Sequence, residues 1–336
     1  EIQSVVRRGT VADTYHARHR VLGKSVVIEV LRAEHASDAD IAAQFLSEAR
    51  ASSLARSAHM VDVLDFGKLA DGGLYSILER LDGVALSVAA HSDNAFPQDR
   101  ILFVTRQIVE ALAAAHAAGI YHGDLTMDQV LLVTRDGDAD FVKIRGFTHV
   151  SGALLSALNS GAPPPDPPKA DASAEPVRSA NFGRGVQADI EAVGAIMYRL
   201  SSGLEPMRGK DGDPVPLRAL ASAPDVPAGV ESVLLKALTR RTELRYTSMK
   251  ELADDLEQVN AGRVPDALLE MIARSPSILR APPPTPEPPS RAAHMAASRA
   301  RPMPTHSPWP TYLAFAALLV LSGLTVGVLV HAFLTR

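Results

Sequence analysis

Cysteine is absent from this 336-residue chain, so disulfides, thiolate metal sites and cysteine nucleophiles are excluded, which fits a cytosolic domain. No clustered run of Lys and Arg occurs either, and the formal net charge is -4. Nucleic acid and other polyanions are therefore not expected as partners. No signal-peptide pattern opens the sequence. It begins at Glu1 rather than Met, so further residues are expected ahead of it. What the chain does have is apolar material: 46% of its residues are hydrophobic, enough for one large core or two moderate ones.

One apolar run is too long for a core. Thr311 to Leu334 reads TYLAFAALLVLSGLTVGVLVHAFL without a formal charge, and as a helix it would span about 36 Å at roughly 1.5 Å per residue. Buried core helices seldom carry more than about 14 consecutive apolar residues, so a transmembrane helix is expected over 311–334, with 335–336 as a tail. Trp309 and Tyr312 stand where an aromatic belt would place them. Arg291, Arg299 and Arg301 precede the run and only Arg336 follows it, which puts the large N-terminal part in the cytoplasm. Ahead of the run the chain is polar and proline-rich, with PPPTPEPP at 282–289, and reads as a semi-extended linker over 263–310.

The first third alternates like strands. Val5-Val6, Thr14 to Ala17 and Ser25 to Leu31 (SVVIEVL) are strand-like, and Val61 to Phe66 and Leu74 to Leu78 follow, joined by the turn Asp71-Gly72-Gly73. Between these sets a helix is expected from about Ser37 to Leu54, started by Ser37 with Asp40 and turning Ile41, Phe45, Ala49 and Leu54 inward. The rest is helical in period. Ile101, Val104, Ile108, Leu112 and Ala115 line a helix from Asp99 to Ala118 that Gly119 stops; Ile190, Val193, Ile196, Met197 and Leu200 line another from Asp189 to Ser202 that Gly203 stops. Lys236 to Val259 holds two more. Residues 151–180 are rich in Ala, Pro and Ser and read as a loop.

The stretch that organises the rest is YHGDLTMDQVLL, Tyr121 to Leu132, where a His, a Gly and an Asp share a loop between the Ala-rich helix and an apolar run. It resembles a protein-kinase catalytic loop, whose pattern is His-Arg-Asp-Leu-Lys, two residues, Asn. QFLSEARASSLARSAHMVDVLDFG, ERLDGVAL, DIEAVGAIMYRLSSG and KALTRRTELRYTSMKELADDLEQV follow in the order expected of the protein kinase superfamily, and resemble bacterial transmembrane Ser/Thr protein kinases over residues 5 to 260. The resemblance implies an α+β, bilobal fold: a small β-rich N-lobe, 1–82, and a larger helical C-lobe, 83–262, with an activation-segment-like loop at 146–180. Asp65-Phe66-Gly67 is a decoy, because it precedes the catalytic loop.

By that resemblance, Asp124 takes the place of the catalytic base, and Gly9 that of one glycine of the phosphate loop, whose other two positions are Arg7 and Ala12. The backbone of Arg80 and Leu81 takes the place of the adenine-binding hinge. Glu29 stands where the phosphate-holding lysine belongs, while Gln129 and Gly146 occupy the two metal-ligand positions. Gly123 and Thr126 replace the loop's Arg and Lys. Glu48, His122, Phe147, Asp189 and Arg245 match the residues that hold the family fold together. Glu48 and Glu29, both acidic, cannot pair, and proximity would raise the pKa of one of them.

The expectation is a degenerate kinase: at most weak ATP binding, no magnesium, and service as a scaffold or regulator for proteins of a Ser/Thr-kinase pathway at the bacterial inner membrane. Two alternatives stand beside it. One is an active but unorthodox kinase in which Lys24, Lys143 or Arg145 replaces the missing lysine and Asp124 acts as base. The other is a folded spacer on a membrane anchor.

Overall fold

The computed structural model describes residues 1–54, 57–92, 96–147, 149–150, 180–220 and 226–274. Thr148, most of the activation-segment-like loop, the stretch from 275 onward and the apolar run 311–334 lie outside them. Among the described residues no helix is long and apolar enough to cross a membrane.

Five strands build the N-lobe sheet: β1 (Ile2–Arg8), β2 (Ala12–Arg18), β3 (Ser25–Leu31), β4 (Val63–Lys68) and β5 (Leu74–Glu79), in the spatial order β1-β2-β3-β5-β4. β3 is rich in β-branched residues and pairs antiparallel with both neighbours, setting Glu29 opposite Thr14 on β2 and Ser76 on β5. Because side chains alternate across a strand, Glu29 and Leu31 share one face. Leu31 packs there with Leu74 and with Phe45 of helix α1 (Ala39–Leu54), which places α1 on the Glu29 side. The helix begins after the expected Ser37. Asp38 is the cap, its Oδ1 accepting from the amides of Asp40 (3.0 Å) and Ile41 (3.1 Å); a carboxylate satisfies two open amides there and suits the positive end of the helix dipole.

β6 (Gly83–Ala85) and helix α2 (Leu86–Ser92) lead into the C-lobe and were not legible as periodic runs. Helix α3 (Gln98–Ala117) buries Ile101, Val104, Ile108, Leu112 and Ala115 along one stripe at the centre of the main core. Strand β7 (Ile120–Tyr121) pairs with β10 (His149–Val150), and β8 (Val130–Arg135) with β6 and β9 (Asp138–Ile144). The helix expected from Asp189 begins earlier, at Ala180, as α4 (Ala180–Ser202). Phe182 and Val186, both buried, extend the apolar stripe of Ile190, Val193 and Met197 toward the N-terminus by one turn each, which carries the helix into the expected loop.

Helices α5 (Ala228–Leu238) and α6 (Met249–Asn260) close the body, followed by α7 (Asp266–Arg274) where the linker was expected to begin. Asp255 explains α7. Its two oxygens accept from the amides of Asp266 (2.7 Å) and Ala267 (3.1 Å) and from the Tyr246 hydroxyl (2.7 Å). The buried Lys236 side chain reaches Glu270 of α7 at 2.9 Å and Glu251 of α6 at 3.2 Å with its ammonium, which lies over the Tyr246 ring.

Candidate functional site

The loop from β7 to β8 is held by one carboxylate. Asp189, fully buried on α4, accepts from the backbone amides of His122 (2.9 Å) and Gly123 (2.6 Å) and from His116 Nε2 (2.8 Å). Three donors satisfy a charge that would otherwise be costly to bury. His122 is buried against the Phe147 ring, 5.1 Å between centroids, and its Nε2 donates to the Arg145 carbonyl at 3.1 Å. Burial pushes the imidazole below its ordinary pKa, favouring the neutral ring, while the nearby Asp189 charge opposes that shift. The loop is thereby fixed to the start of the segment that follows β9.

Within this loop, Gln129 is bonded to a neighbour in the loop itself. Gln129 Oε1 accepts from both the amide and the hydroxyl of Thr126, each at 2.6 Å. That oxygen is the one atom of the Gln129 side chain that could bind a cation, and it is engaged. Gly146 has φ 84° and brings no side chain; the closest atoms to a Cβ built there would be those of Gln129 and His122, at 3.9 Å. Asp124 is exposed and makes no hydrogen bond or ion pair with another described residue. The residues present therefore do not fit a magnesium ion, and among the described residues no group of three His, Asp or Glu side chains is placed to hold a metal.

Across the cleft, the N-lobe contributes acid. Burial pushes the Glu29 carboxyl up, opposed by the charges of Arg145 and Arg7. Burial also raises Glu48, against a hydrogen bond from Gln44 at 3.2 Å, and the Glu29 charge adds to the rise. The two acids do sense each other, and neither has an ion-pair partner within 4 Å among the described residues. Gly9 is needed by the tight β1–β2 turn, since a Cβ there would sit 2.2 Å from the Ala12 carbonyl oxygen; its own carbonyl accepts from Arg32 at 3.2 Å. At the hinge position Arg80 is exposed and pairs with Asp82 at 3.4 Å, while Leu81 is half-buried and its backbone bonds to no other described residue.

Of the three basic side chains considered as substitutes for the lost lysine, two stand elsewhere. Lys24 lies in the exposed turn before β3, its carbonyl bonded to the His19 amide. Lys143 is buried on β9, its ammonium 2.5 Å from Glu79 and 2.8 Å from the Met60 carbonyl. Arg145 alone reaches the cleft, where it donates to the Asp128 carbonyl at 3.3 Å and its charge is felt at Glu29. The Lys143–Glu79 pair was not anticipated; only the β-strand placement of Lys143 hinted that it was interior. Arg245 is buried, donating to the carbonyls of Thr239 (2.6 and 3.0 Å) and Gln187 (3.2 Å), with Glu191 as its ion-pair partner at 3.2 Å. Glu191 was also missed, and it lies two residues beyond Asp189 on α4.

A five-stranded sheet with one helix, a helical lobe, and a His-containing loop braced by a buried helix Asp define the protein-kinase class of fold. The chain belongs to that family: residues 1–256 match the protein kinase domain. It is similar to Serine/threonine-protein kinase pkn3 of Myxococcus xanthus, 28% identical over 280 residues that make up 78% of this chain and 50% of that protein. Serine/threonine-protein kinase Pkn1 of the same organism is 32% identical over 270 residues, 76% of this chain and 38% of that protein. The chain thus spans about half the length of these relatives or less. Among solved structures, the M. tuberculosis PknI kinase domain superimposes with a TM-score of 0.56 at 21% identity, covering 78% of this chain and 95% of that one. A Ser/Thr-protein-kinase-like domain is what the chain carries.

Proposed function

We propose that this domain is a non-catalytic kinase relative, a pseudokinase that works by binding proteins of a Ser/Thr-kinase pathway. The apolar run 311–334 would hold it at the bacterial inner membrane with the kinase-like body in the cytoplasm. The observation that carries the reading is the engaged Gln129 oxygen beside a side-chain-free Gly146. Phosphoryl transfer rests almost wholly on positioning and on cations that neutralise developing charge. With Glu29 in place of the lysine as well, a nucleotide's phosphates meet acid where cations belong. Titrating ATP into the full chain with and without magnesium tests this. The metal is expected to leave ATP affinity unchanged; a magnesium-dependent tightening of about tenfold or more would count against it.

A second reading is favoured by one observation. Asp124 stays exposed and unengaged by other described residues, as a base awaiting a hydroxyl would be, and Arg145 supplies a cation at the cleft. Under that reading the chain is an unorthodox Ser/Thr kinase, and transfer would depend on both residues.

A further inference from the structure

The turn between β2 and β3 carries apolar side chains at its tip and cations around them. Residues 18–25 are all exposed. At the tip Val21 is 88% exposed and Leu22 65%, the two highest values among the large apolar side chains of the described residues. A turn that meets only water usually takes Asn, Asp, Ser or Gly at such places. The backbone around the tip is closed on itself. The Gly23 amide donates to the His19 carbonyl and the His19 amide to the Lys24 carbonyl, each at 2.8 Å. The Leu22 amide donates to His19 Nδ1 at 3.1 Å, and Arg18 Nε to the Gly23 carbonyl at 3.0 Å. Gly23 permits the closure with φ 65°. Backbone groups paired in this way do not depend on water, which is the condition for entering a lipid interface.

Three cations flank the tip. Arg18, Arg20 and Lys24 are exposed, and no Asp or Glu occurs from Thr14 to Ile28. Strand pairing brings two acids to this end of the sheet: Glu1, whose carbonyl accepts from the Arg18 amide, and Glu79, which stands opposite Val26 and is engaged by Lys143. Spaced among other residues, the three cations make no basic run in the sequence; the turn gathers them.

We infer that this hairpin tip docks on an anionic bilayer surface, with Val21 and Leu22 entering the acyl boundary and Arg18, Arg20 and Lys24 among the headgroup phosphates. Long basic side chains bury their stems and keep their charges at that level. A small apolar insertion and a few cations together give reversible contact, and anchoring by 311–334, as proposed above, would keep a bilayer within reach. A second copy of the chain docked tip to tip would set like cations against each other, whereas acidic headgroups complement them. The inference goes beyond the reading of the cleft and does not use it.

The test uses the full chain with its one tryptophan removed, Trp309→Phe, and a new one at the tip, Leu22→Trp. It is incubated with liposomes whose lipids carry brominated acyl chains, which quench indole fluorescence on contact. Liposomes of phosphatidylcholine alone are compared with liposomes holding about one-third phosphatidylglycerol. Quenching at position 22 should be about threefold greater or more with the anionic lipid. Adding Arg20→Gln/Lys24→Gln, which leaves the Arg18–Gly23 bond in place, should return it to the neutral level. A probe placed instead by Leu64→Trp, at a residue 54% exposed on β4 at the far edge of the sheet, should not distinguish the two lipids. Equal quenching of position 22 in both lipids would overturn the inference, as would the same gain at position 64 or a gain that survives loss of both cations. So would a blue shift at position 22 that needs no lipid and grows with protein concentration, since a second copy would then cover the tip. Flotation of the same samples reads the anchor separately. A chain that floats with both lipids, its tip unquenched, keeps the anchor and loses this inference; one that floats only with anionic lipid, its tip quenched, does the reverse.

Discussion

Gln129 and Thr126 are bonded to each other: one carboxamide oxygen accepts from the amide and the hydroxyl of the residue three positions earlier. These are two of the positions at which the loop departs from the kinase pattern. The substitutions are thus coupled, each side chain serving the other instead of a ligand. Replacing Gln129 by Ala should lower stability by about 1 to 2 kcal/mol, the cost of two lost hydrogen bonds at a partly exposed site. Urea unfolding would measure it. In a Thr126→Val background the same change should cost less, because only the amide bond remains to be lost.

Asp189 carries a heavier burden, with three donors converging on a carboxylate that has no solvent exposure. Asp189→Ala should cost about 3 kcal/mol by leaving two buried amides and an imidazole without an acceptor. Denaturant titration should show an earlier midpoint with unchanged slope, and Asp189→Asn should fall between the two proteins.

Acidity offers a separate check on the cleft. The folded state holds a proton on Glu29 to higher pH than the unfolded chain does, whose ordinary value is 4.5. Such a group adds stability that is complete below the unfolded value and is lost as pH rises through the folded one. At pH 7 the ionised carboxylate is a burden, so Glu29→Gln should be more stable than the unaltered protein. The difference should shrink as pH falls toward 4.5. His122, lowered from 6.5, acts oppositely, its contribution being lost on acidification, but it is common to both proteins and cancels in the difference. Thermal unfolding of the pair from pH 7.5 to 4.5 would resolve this.

The body of the protein ends beyond the linker boundary expected from composition. A fragment 1–262 lacks α7, which strips Asp255 of two of its three donors and Lys236 of Glu270. Relative to 1–276 it should lose about 2 kcal/mol, from a charged cap and a partly buried ion pair. Urea unfolding of both fragments would show it.

Much of the fold was legible because its supports are short motifs in a fixed order. His122, Phe147, Asp189 and Arg245 each stand in a recognisable string, and the structure buries all four. Periodicity was enough for α3, whose apolar stripe is buried over its whole length. What could not be read are pairings between residues far apart in sequence that carry no motif: Lys143 with Glu79, Lys236 with Glu270, Arg245 with Glu191. Lys143 looked like a cation available for catalysis, since a strand position does not reveal which carboxylate will meet it. Asp38 displaced Ser37 as the cap for a local reason, since both residue types favour that place and only backbone geometry chooses between them. The departures at the cleft were visible as residue identities. That Gln129 turns to Thr126, and that Glu29 shares a row with Arg7, required the coordinates.

A radiolabelled phosphotransfer assay, with the full chain, Mg-ATP and a general protein substrate, measures the central claim most directly. No transfer above background is predicted, and none that differs between the unaltered protein and Asp124→Ala. Transfer that is present in the unaltered protein and lost in Asp124→Ala would contradict the account.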